Sequence, residues 1–294
     1  MGEDGPGPSI HTRMSRALPT LTRSERRAAM VLLSRYPEVG LESITGFADA
    51  AKVSPATIQR LIAKIGIESY PEFRQQLRAE LAARQSGPLS LTRPLADGDA
   101  MIPSFRAGAL AAVDRTLDAI DPAELAAVVD LLVDAKRGVY LGGGTFTYPL
   151  AEHLDFHLRK MRSGVVLLDR DMARRNDRML DIRRGDVVIL FDIRRYQPEI
   201  ALTARFAAER RAKVVLFTDE WMSEVAAIAA HCFRARVEAA TPWDTLLGLA
   251  ALVELVAGAT DARIWPAFRR RLEALDRLRD GTFVPDWQRG RPAE

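Results

Sequence analysis

Residues 43–61 constrain this chain most, because they combine two short amphipathic helices with the signals for a tight turn. Ser54 is a good N-cap for the second helix, and Pro55 stands at its first position, where a missing N–H costs nothing. The pattern predicts a helix, a turn at Lys52-Val53 and a second helix. Apolar residues at helical spacing predict the buried face, namely Phe47, Ala48, Ala51, Val53, Ile58, Leu61, Ile62 and Ile65.

The outward side of the second predicted helix is polar and cationic. A short helix, a turn and a helix with such a face is the arrangement that enters the major groove of double-stranded DNA. Arg60 is assigned to a base edge and Lys64 to a phosphate. An ordinary helical hairpin with a solvated face is the alternative that spacing alone leaves open. The predicted DNA-binding residues are Ser54, Pro55, Thr57, Gln59, Arg60 and Lys64.

The segments on either side extend this pattern. Residues 21–25 form a capping box, with Thr22 as N-cap and Glu25 three residues later. The motifs L-T-x-x-E-R-R-x-A, S-I-x-x-x-A-x-x-x-x-V-S-x-A-T-I-x-R-x-x-x-K-x-G and Y-x-E-F-R-x-x-L follow in order over residues 21–84. Together they resemble the N-terminal domain of the RpiR/MurR family of bacterial transcription regulators. The resemblance implies a helix-turn-helix domain over residues 21–84 and a double-stranded DNA operator as partner.

Length and composition allow two globular domains. The chain has 294 residues, of which 48% are hydrophobic and 28% charged, and a net charge of +3 permits a local basic patch. No apolar run is long enough to span a bilayer and no signal-peptide pattern opens the chain, so a cytoplasmic protein without a membrane partner is expected. Cys232 is the only cysteine, which fits a reducing compartment. Residues 1–20, rich in Gly, Pro and Arg, predict a disordered arm.

From residue 138 onward, short apolar runs alternate with helical segments. The predicted strands are 139–141, 165–168, 186–191, 212–217 and 232–235. Such runs favour a five-stranded parallel sheet covered by helices on both faces, an α/β domain over residues 130–262. A linker and connecting helices are expected over 85–129, and a C-terminal helix and tail over 263–294. The helix over 243–257 is apolar nearly all round, which predicts that it is buried or lies at a subunit interface.

A glycine triplet, Gly142-Gly143-Gly144-Thr145, follows the first predicted strand. Parallel sheets bind ligands at this edge, where backbone N–H groups approach an anion closely. A tight turn without a ligand is the alternative. Together with the strand pattern and the N-terminal domain, the segment resembles the SIS (sugar isomerase) domain that completes the RpiR architecture. The resemblance implies a pocket for a sugar-derived ligand and a homodimer or homotetramer.

The predicted pocket departs from the family at the loop after the third strand. The resemblance implies a hydroxyl-rich S-x-S-G-x-T loop, and this chain has Asp192, Arg194, Arg195 and Gln197 instead. Two guanidinium groups can hold a phosphate or carboxylate bidentately, so a small anionic metabolite, a sugar phosphate or a sugar acid, is predicted. The alternative is that the arginines pair internally and the domain only dimerises. The predicted ligand-binding residues are Gly142, Gly143, Gly144, Thr145, Asp192, Arg194, Arg195, Gln197, Thr241 and Asp244.

The sequence gives less support to a metal site or to an isomerase active site. His153 and His157 stand four residues apart, the spacing of a two-histidine metal face, but no third ligand is evident, so no metal or other cofactor is expected. A sugar-phosphate isomerase would need an acid–base residue, and Glu238 and Asp244 are the candidates near the pocket. It would have no use for residues 21–84. The sequence therefore favours a ligand-responsive transcription regulator that is not an enzyme.

Overall fold

The computed structural model describes residues 9–85, 98–238 and 243–281. Its N-terminal region is helical and consists of α1 (Ile10–Ala17), α2 (Arg23–Ser34), α3 (Glu38–Leu41), α4 (Ile44–Ala51), α5 (Pro55–Lys64) and α6 (Tyr70–Gln85). The remaining helices are α7 (Met101–Asp118), α8 (Pro122–Val133), α9 (Tyr148–Met161), α10 (Met172–Met179), α11 (Pro198–Glu209) and α12 (Leu247–Arg279).

A parallel sheet forms the centre of the second region. Its strands are β1 (Val139–Gly143), β2 (Val165–Leu167), β3 (Val187–Asp192), β4 (Lys213–Asp219) and β5 (His231–Ala235). They are arranged in the order β2-β1-β3-β4-β5, and all four pairings are parallel. The two faces support separate apolar clusters, one with α9 and α12 and the other with α10 and α11. The predicted fold class is confirmed, and each predicted strand occurs at its expected place.

Side-chain caps begin the helices that the sequence marked. The Thr22 backbone N–H donates to Glu25 Oε2 at 2.9 Å, and the Thr22 hydroxyl accepts from the Glu25 backbone N–H, which is a complete capping box. Ser43 and Ser54 cap α4 and α5 with their side chains, which accept from the backbone N–H groups of Gly46 and Thr57. Lys52 adopts a left-handed conformation with φ of 51° and makes the tight turn between them. The predicted helix-turn-helix geometry follows from these local signals.

The N-terminal arm is shorter than predicted. Residues 10–17 form α1, and its Ile10 and Met14 are fully buried in the core of the helical region. Arg13 on the same helix donates to the Ile65 carbonyl oxygen at 3.2 Å. The prediction of disorder over 1–20 is therefore wrong for residues 9–20, and residues 1–8 lie outside the described part. Ile10 and Met14 lie four residues apart on one face of α1, and their burial stabilises this helix although glycines and prolines precede it.

The C-terminal helical segments form one helix with a kink. α12 runs through Ile264, whose φ of −115° is not helical, and Pro266 lies two residues later. Proline removes a backbone donor and clashes with the preceding turn, which accounts for the bend. The apolar stripe of its first half packs within the chain, with Leu249, Leu252 and Val253 fully buried. The sequence predicted either burial or a subunit interface for this segment, and the structure shows burial.

Candidate DNA-binding and ligand-binding sites

Fewer of the predicted DNA-binding residues are exposed on α5 than the sequence indicated. Ser54, Pro55 and Ala56 are exposed at its N-terminal end, and Arg60 is exposed near its middle. Arg60 Nη2 donates to the Thr57 hydroxyl at 3.1 Å, and this bond directs the guanidinium toward the start of the helix. The N-terminal half of a recognition helix is the part that contacts base edges in helix-turn-helix proteins. Arg60 is therefore the cation on α5 best placed for base contact.

Thr57 and Gln59, two of the predicted DNA-binding residues, are at least partly buried and make contacts within the chain. Thr57 is buried, and its hydroxyl is shared between Ser54 and Arg60. Gln59 is half-buried and donates to the Glu68 carbonyl oxygen at 2.9 Å. Both residues lie at the edge of the buried stripe of α5, so the structure gives them partners within the chain rather than a fully exposed position on the groove face.

Lys64 joins the recognition helix to the capping box of α2. Its Nζ lies 2.7 Å from Oε2 of Glu25, whose side chain is only 3% exposed. The hydrogen bond from Lys64, together with the two from Thr22, lowers the pKa of Glu25 to about 2 against the opposing effect of burial. Lys64, which the sequence assigned to a phosphate contact, forms this ion pair, and the sequence did not indicate it.

The glycine turn after β1 is closed by its own hydrogen bonds. The Gly144 backbone N–H donates to the Phe191 carbonyl oxygen at 3.1 Å, and the Thr145 backbone N–H donates to Gln197 Oε1 at 2.6 Å. A Cβ at Gly143 would meet the backbone nitrogen of Tyr148 at 2.9 Å, so this glycine is needed for the close approach. The amides of Gly144 and Thr145, predicted as an anion-binding wall, therefore have partners within the protein.

The loop after β3 turns most of its charges inward. Asp192 is buried, with Oδ1 accepting from the Gln197 backbone N–H at 3.3 Å and Oδ2 accepting from the Ser223 hydroxyl. Burial raises its pKa to about 7. Arg194 is buried with its guanidinium 4.0 Å above the Trp221 ring and Nε 3.2 Å from Asp244 Oδ1. Asp192, Arg194 and Asp244, which the sequence predicted to face a ligand, are therefore each engaged in contacts inside the domain.

The remaining predicted ligand residues are divided between the turn and the surface. Gly142 lies within β1 and packs toward Leu190. Arg195 is exposed in a left-handed conformation, with φ of 62°. Thr241 lies outside the described residues. Gly143, Gly144, Thr145 and Gln197, from the predicted set, border one cavity.

That cavity has a volume of about 160 Å³ and takes its positive charge from another part of the chain. Arg170 and Arg175, after β2 and on α10, line it together with Met172 and Glu199. Arg170 lies 4.2 Å above the Tyr148 ring and is partly exposed. Sequence reasoning missed both arginines, since they lie in a loop and a helix that carried no motif.

Arg175 is the unusual member of this set. It is 4% exposed, and its Nε donates to the Asp169 carbonyl oxygen at 2.8 Å. Among the described residues, none accepts a hydrogen bond from its Nη atoms and none forms an ion pair with it. Burial lowers its pKa from the ordinary value, but a guanidinium stays protonated at neutral pH. A buried cation without an ion-pair partner is costly, and an anion in the cavity would compensate its charge.

The other candidate residues behave as structural groups. Burial raises the pKa of the Cys232 thiol to about 12, so it is a poor nucleophile. Glu238, the candidate acid–base residue, accepts from Arg236. In the described ranges no helix is both long and apolar enough to cross a membrane.

Family models match both regions of the chain. Residues 9–84 match the helix-turn-helix domain of the rpiR family, and residues 131–258 match the SIS domain. The chain belongs to the RpiR family of transcription regulators. It is 28% identical over 208 residues to the HTH-type transcriptional regulator HexR of Pseudomonas aeruginosa, which covers 68% of this chain and 70% of HexR. It is 26% identical over 202 residues to Escherichia coli HexR, covering 67% and 68%.

Solved structures agree with the fold. The sugar isomerase domain of an RpiR transcription factor from Sphaerobacter thermophilus superposes with a TM-score of 0.57 at 22% identity, covering 60% of this chain and 98% of that one. The Vibrio vulnificus NanR protein, complexed with ManNAc-6P, superposes with a TM-score of 0.54 at 18% identity, covering 94% and 100%. These curated relatives are transcription regulators and not enzymes, which favours a regulator over an isomerase. A helix-turn-helix regulator implies DNA binding.

Proposed function

We propose that this RpiR-family regulator senses a small anionic, sugar-derived metabolite in its SIS domain and changes its operator binding in response. The observation that carries the proposal is the buried, unpaired guanidinium of Arg175 facing the glycine turn. The phosphate or carboxylate of the ligand would complete its hydrogen bonds. Gln197 and Thr145, already bonded to each other through Gln197 Nε2 at 2.9 Å, would orient neighbouring hydroxyl groups.

The charge around the cavity supports one anionic group. Arg170 and Arg175 line the cavity with one carboxylate, Glu199, and Arg170 Nη2 also lies 4.0 Å from Glu152 Oε2, so Arg175 is the cation that remains for an anionic ligand. Glu199 also supplies an acceptor for ligand hydroxyl groups, which an inorganic anion lacks. The complex of the similar NanR protein with ManNAc-6P favours a sugar phosphate over a sugar acid.

Calorimetric titration of the full-length chain with a panel of sugar phosphates and sugar acids tests this proposal. Arg175→Met removes the charge while keeping a long side chain in the buried site, and it should weaken the best ligand by about 1.5–3 kcal/mol, the range for a hydrogen bond to a charged group. Arg174→Met is the matched control, since Arg174 is an exposed neighbour on α10. Equal affinity of both variants and the wild type would contradict the assignment of Arg175.

A chain of contacts supports communication between the cavity and the DNA-binding region. Gln197 borders the cavity and donates from its backbone to Asp192, which in turn accepts from Ser223. Ser223 caps the short 3₁₀ helix Glu224–Ala227. A cleft of about 590 Å³ separates this helix from the C-terminal end of α2, and it is lined by residues of both regions, including Arg35 and Arg205.

Ligand binding at Gln197 would be transmitted along this route. A ligand changes DNA affinity only if it binds two conformers unequally, and the 3₁₀ helix is the element between the regions that it would bias. Ser223→Ala should keep ligand affinity and ligand-free DNA affinity, and reduce the ratio of DNA dissociation constants with and without ligand. An unchanged ratio would exclude this route and leave the sensing proposal standing.

A further inference from the structure

Two histidines of α9 meet a carboxylate of α12 on the surface of the SIS domain. The rings of His153 and His157 have centroids 4.8 Å apart, and His153 Nε2 lies 2.6 Å from Glu254 Oε1. One potential ligand atom from each of the three residues lies within 4.8 Å of the others. The third ligand that the sequence lacked comes from a helix far along the chain.

The hydrogen bond between His153 and Glu254 does not account for the whole cluster. Within the described ranges, the imidazole nitrogens of His157 have no hydrogen-bond partner, and its ring contacts only those of His153 and Phe156. A metal ion would engage all three side chains together.

We propose that His153, His157 and Glu254 bind one divalent transition-metal ion, with Zn²⁺ as the best fit. Two imidazoles and a carboxylate are the ligand set of zinc sites that leave a fourth position open. With bonds of about 2.0–2.2 Å, tetrahedral ligand atoms lie about 3.3 Å apart. Small rotamer changes of these partly exposed side chains bring the cluster to that geometry. The site lies apart from the Arg175 cavity and uses none of its residues.

The ion would join α9 to α12 across a surface where few other polar contacts hold them. Arg271 of α12 donates to the Arg159 carbonyl oxygen at the C-terminal end of α9. The metal site would fix the middle of α9 to the first half of α12, before the kink. Because a metal that binds only the folded state stabilises it by mass action, thermal stability should rise with Zn²⁺ concentration.

Calorimetric titration of the full-length, chelator-treated chain with Zn²⁺ tests the site. The wild type should bind one equivalent, and His157→Ala and Glu254→Gln should each weaken that binding at least tenfold. His231→Ala is the matched control, because its Nδ1 lies 3.8 Å from Glu124 Oε1 in a histidine–carboxylate pair without a second imidazole. The control should bind Zn²⁺ as the wild type does.

The spectrum of the Co²⁺-loaded chain gives a second measurement that does not depend on stability. Four-coordinate Co²⁺ absorbs strongly in the visible range, and His157→Ala should abolish this band while His231→Ala keeps it. The proposal fails if the wild type shows no saturable Zn²⁺ binding. It also fails if the stoichiometry and affinity persist in both His157→Ala and Glu254→Gln.

Discussion

The ion pair between Lys64 and Glu25 provides a test of whether Lys64 stabilises the DNA-binding region or contacts DNA. Lys64→Met keeps the apolar stem of the side chain and removes its charge. Glu25 then stays buried with only the two hydrogen bonds from Thr22. If Lys64 has the structural role seen here, the substitution should loosen the packing of α5 against α2 and leave the salt dependence of DNA binding unchanged.

The expected cost lies between two limits. An exposed ion pair contributes about 0–1 kcal/mol, and breaking a fully buried pair costs about 3–5 kcal/mol. The Glu25 side chain is 3% exposed, but that of Lys64 is 39% exposed, so solvent screens the cation more than the anion. We therefore expect a loss of about 1–2 kcal/mol, which is a factor of roughly 5–30 in the local opening equilibrium.

Native-state hydrogen exchange measured by mass spectrometry reads this opening directly, because slow amides of α2 and α5 report local unfolding. Peptides covering 22–34 and 54–65 should exchange faster in Lys64→Met by the factor above. Lys52→Met, at the exposed turn between α4 and α5, is the control and should leave both peptides unchanged. The reasoning is refuted if exchange in Lys64→Met equals the wild type while its DNA affinity falls with a smaller salt slope.

Three further predictions concern the groove face, the buried Asp192 and assembly. Arg60→Ala should cost about 1–3 kcal/mol of affinity in gel shifts on an operator selected from random DNA, without faster exchange in α5; full affinity would exclude a base contact. Burial raises the pKa of Asp192 from 3.8 to about 7. Between about pH 4 and 7 the folded chain therefore keeps a proton that the unfolded chain has lost, so the free energy of unfolding should fall as the pH rises through this range. The melting temperature of Asp192→Asn should lack this decrease with pH. If the melting temperatures of the wild type and the variant change with pH in parallel, the prediction is contradicted. The chain should be at least a dimer by light scattering, and a monomer would contradict this prediction. Because α7 exposes Ile102 and Phe105, a charged residue at either position should weaken the dimer.

The fold was readable because each element carries its own local signal. β2, β3 and β4 each contain two adjacent valines among other apolar residues, and α2, α4 and α5 follow Thr22, Ser43 and Ser54, which are strong caps. α1 was missed because it is short and its buried residues contact a core that forms only when later helices pack. Tertiary packing, rather than propensity, makes such a helix stable.

The site residues were less predictable because they depend on contacts between distant segments. Glu25 and Lys64 are 39 residues apart, and the outward phase of Lys64 on α5 gave no sign of its partner. β1 has β2 on one side and β3 on the other, so the loops after both strands border its glycine turn. Without the strand order, only the loop after β3 was considered, and Arg170 and Arg175 were overlooked.

The charges of the loop after β3 turn inward because of one carboxylate on the neighbouring strand. Asp219 of β4 is fully buried and accepts from the Arg194 backbone N–H and the Tyr196 hydroxyl, each at 2.6 Å, and from the Trp221 backbone N–H at 3.1 Å. These bonds fix the loop toward β4, where the Arg194 guanidinium stacks on Trp221. A loop held in this way cannot also present its arginine to the glycine turn. If the cavity binds an anion, its charged end must therefore lie on the β2 side of the turn, against Arg175, and its hydroxyl groups must lie toward Gln197.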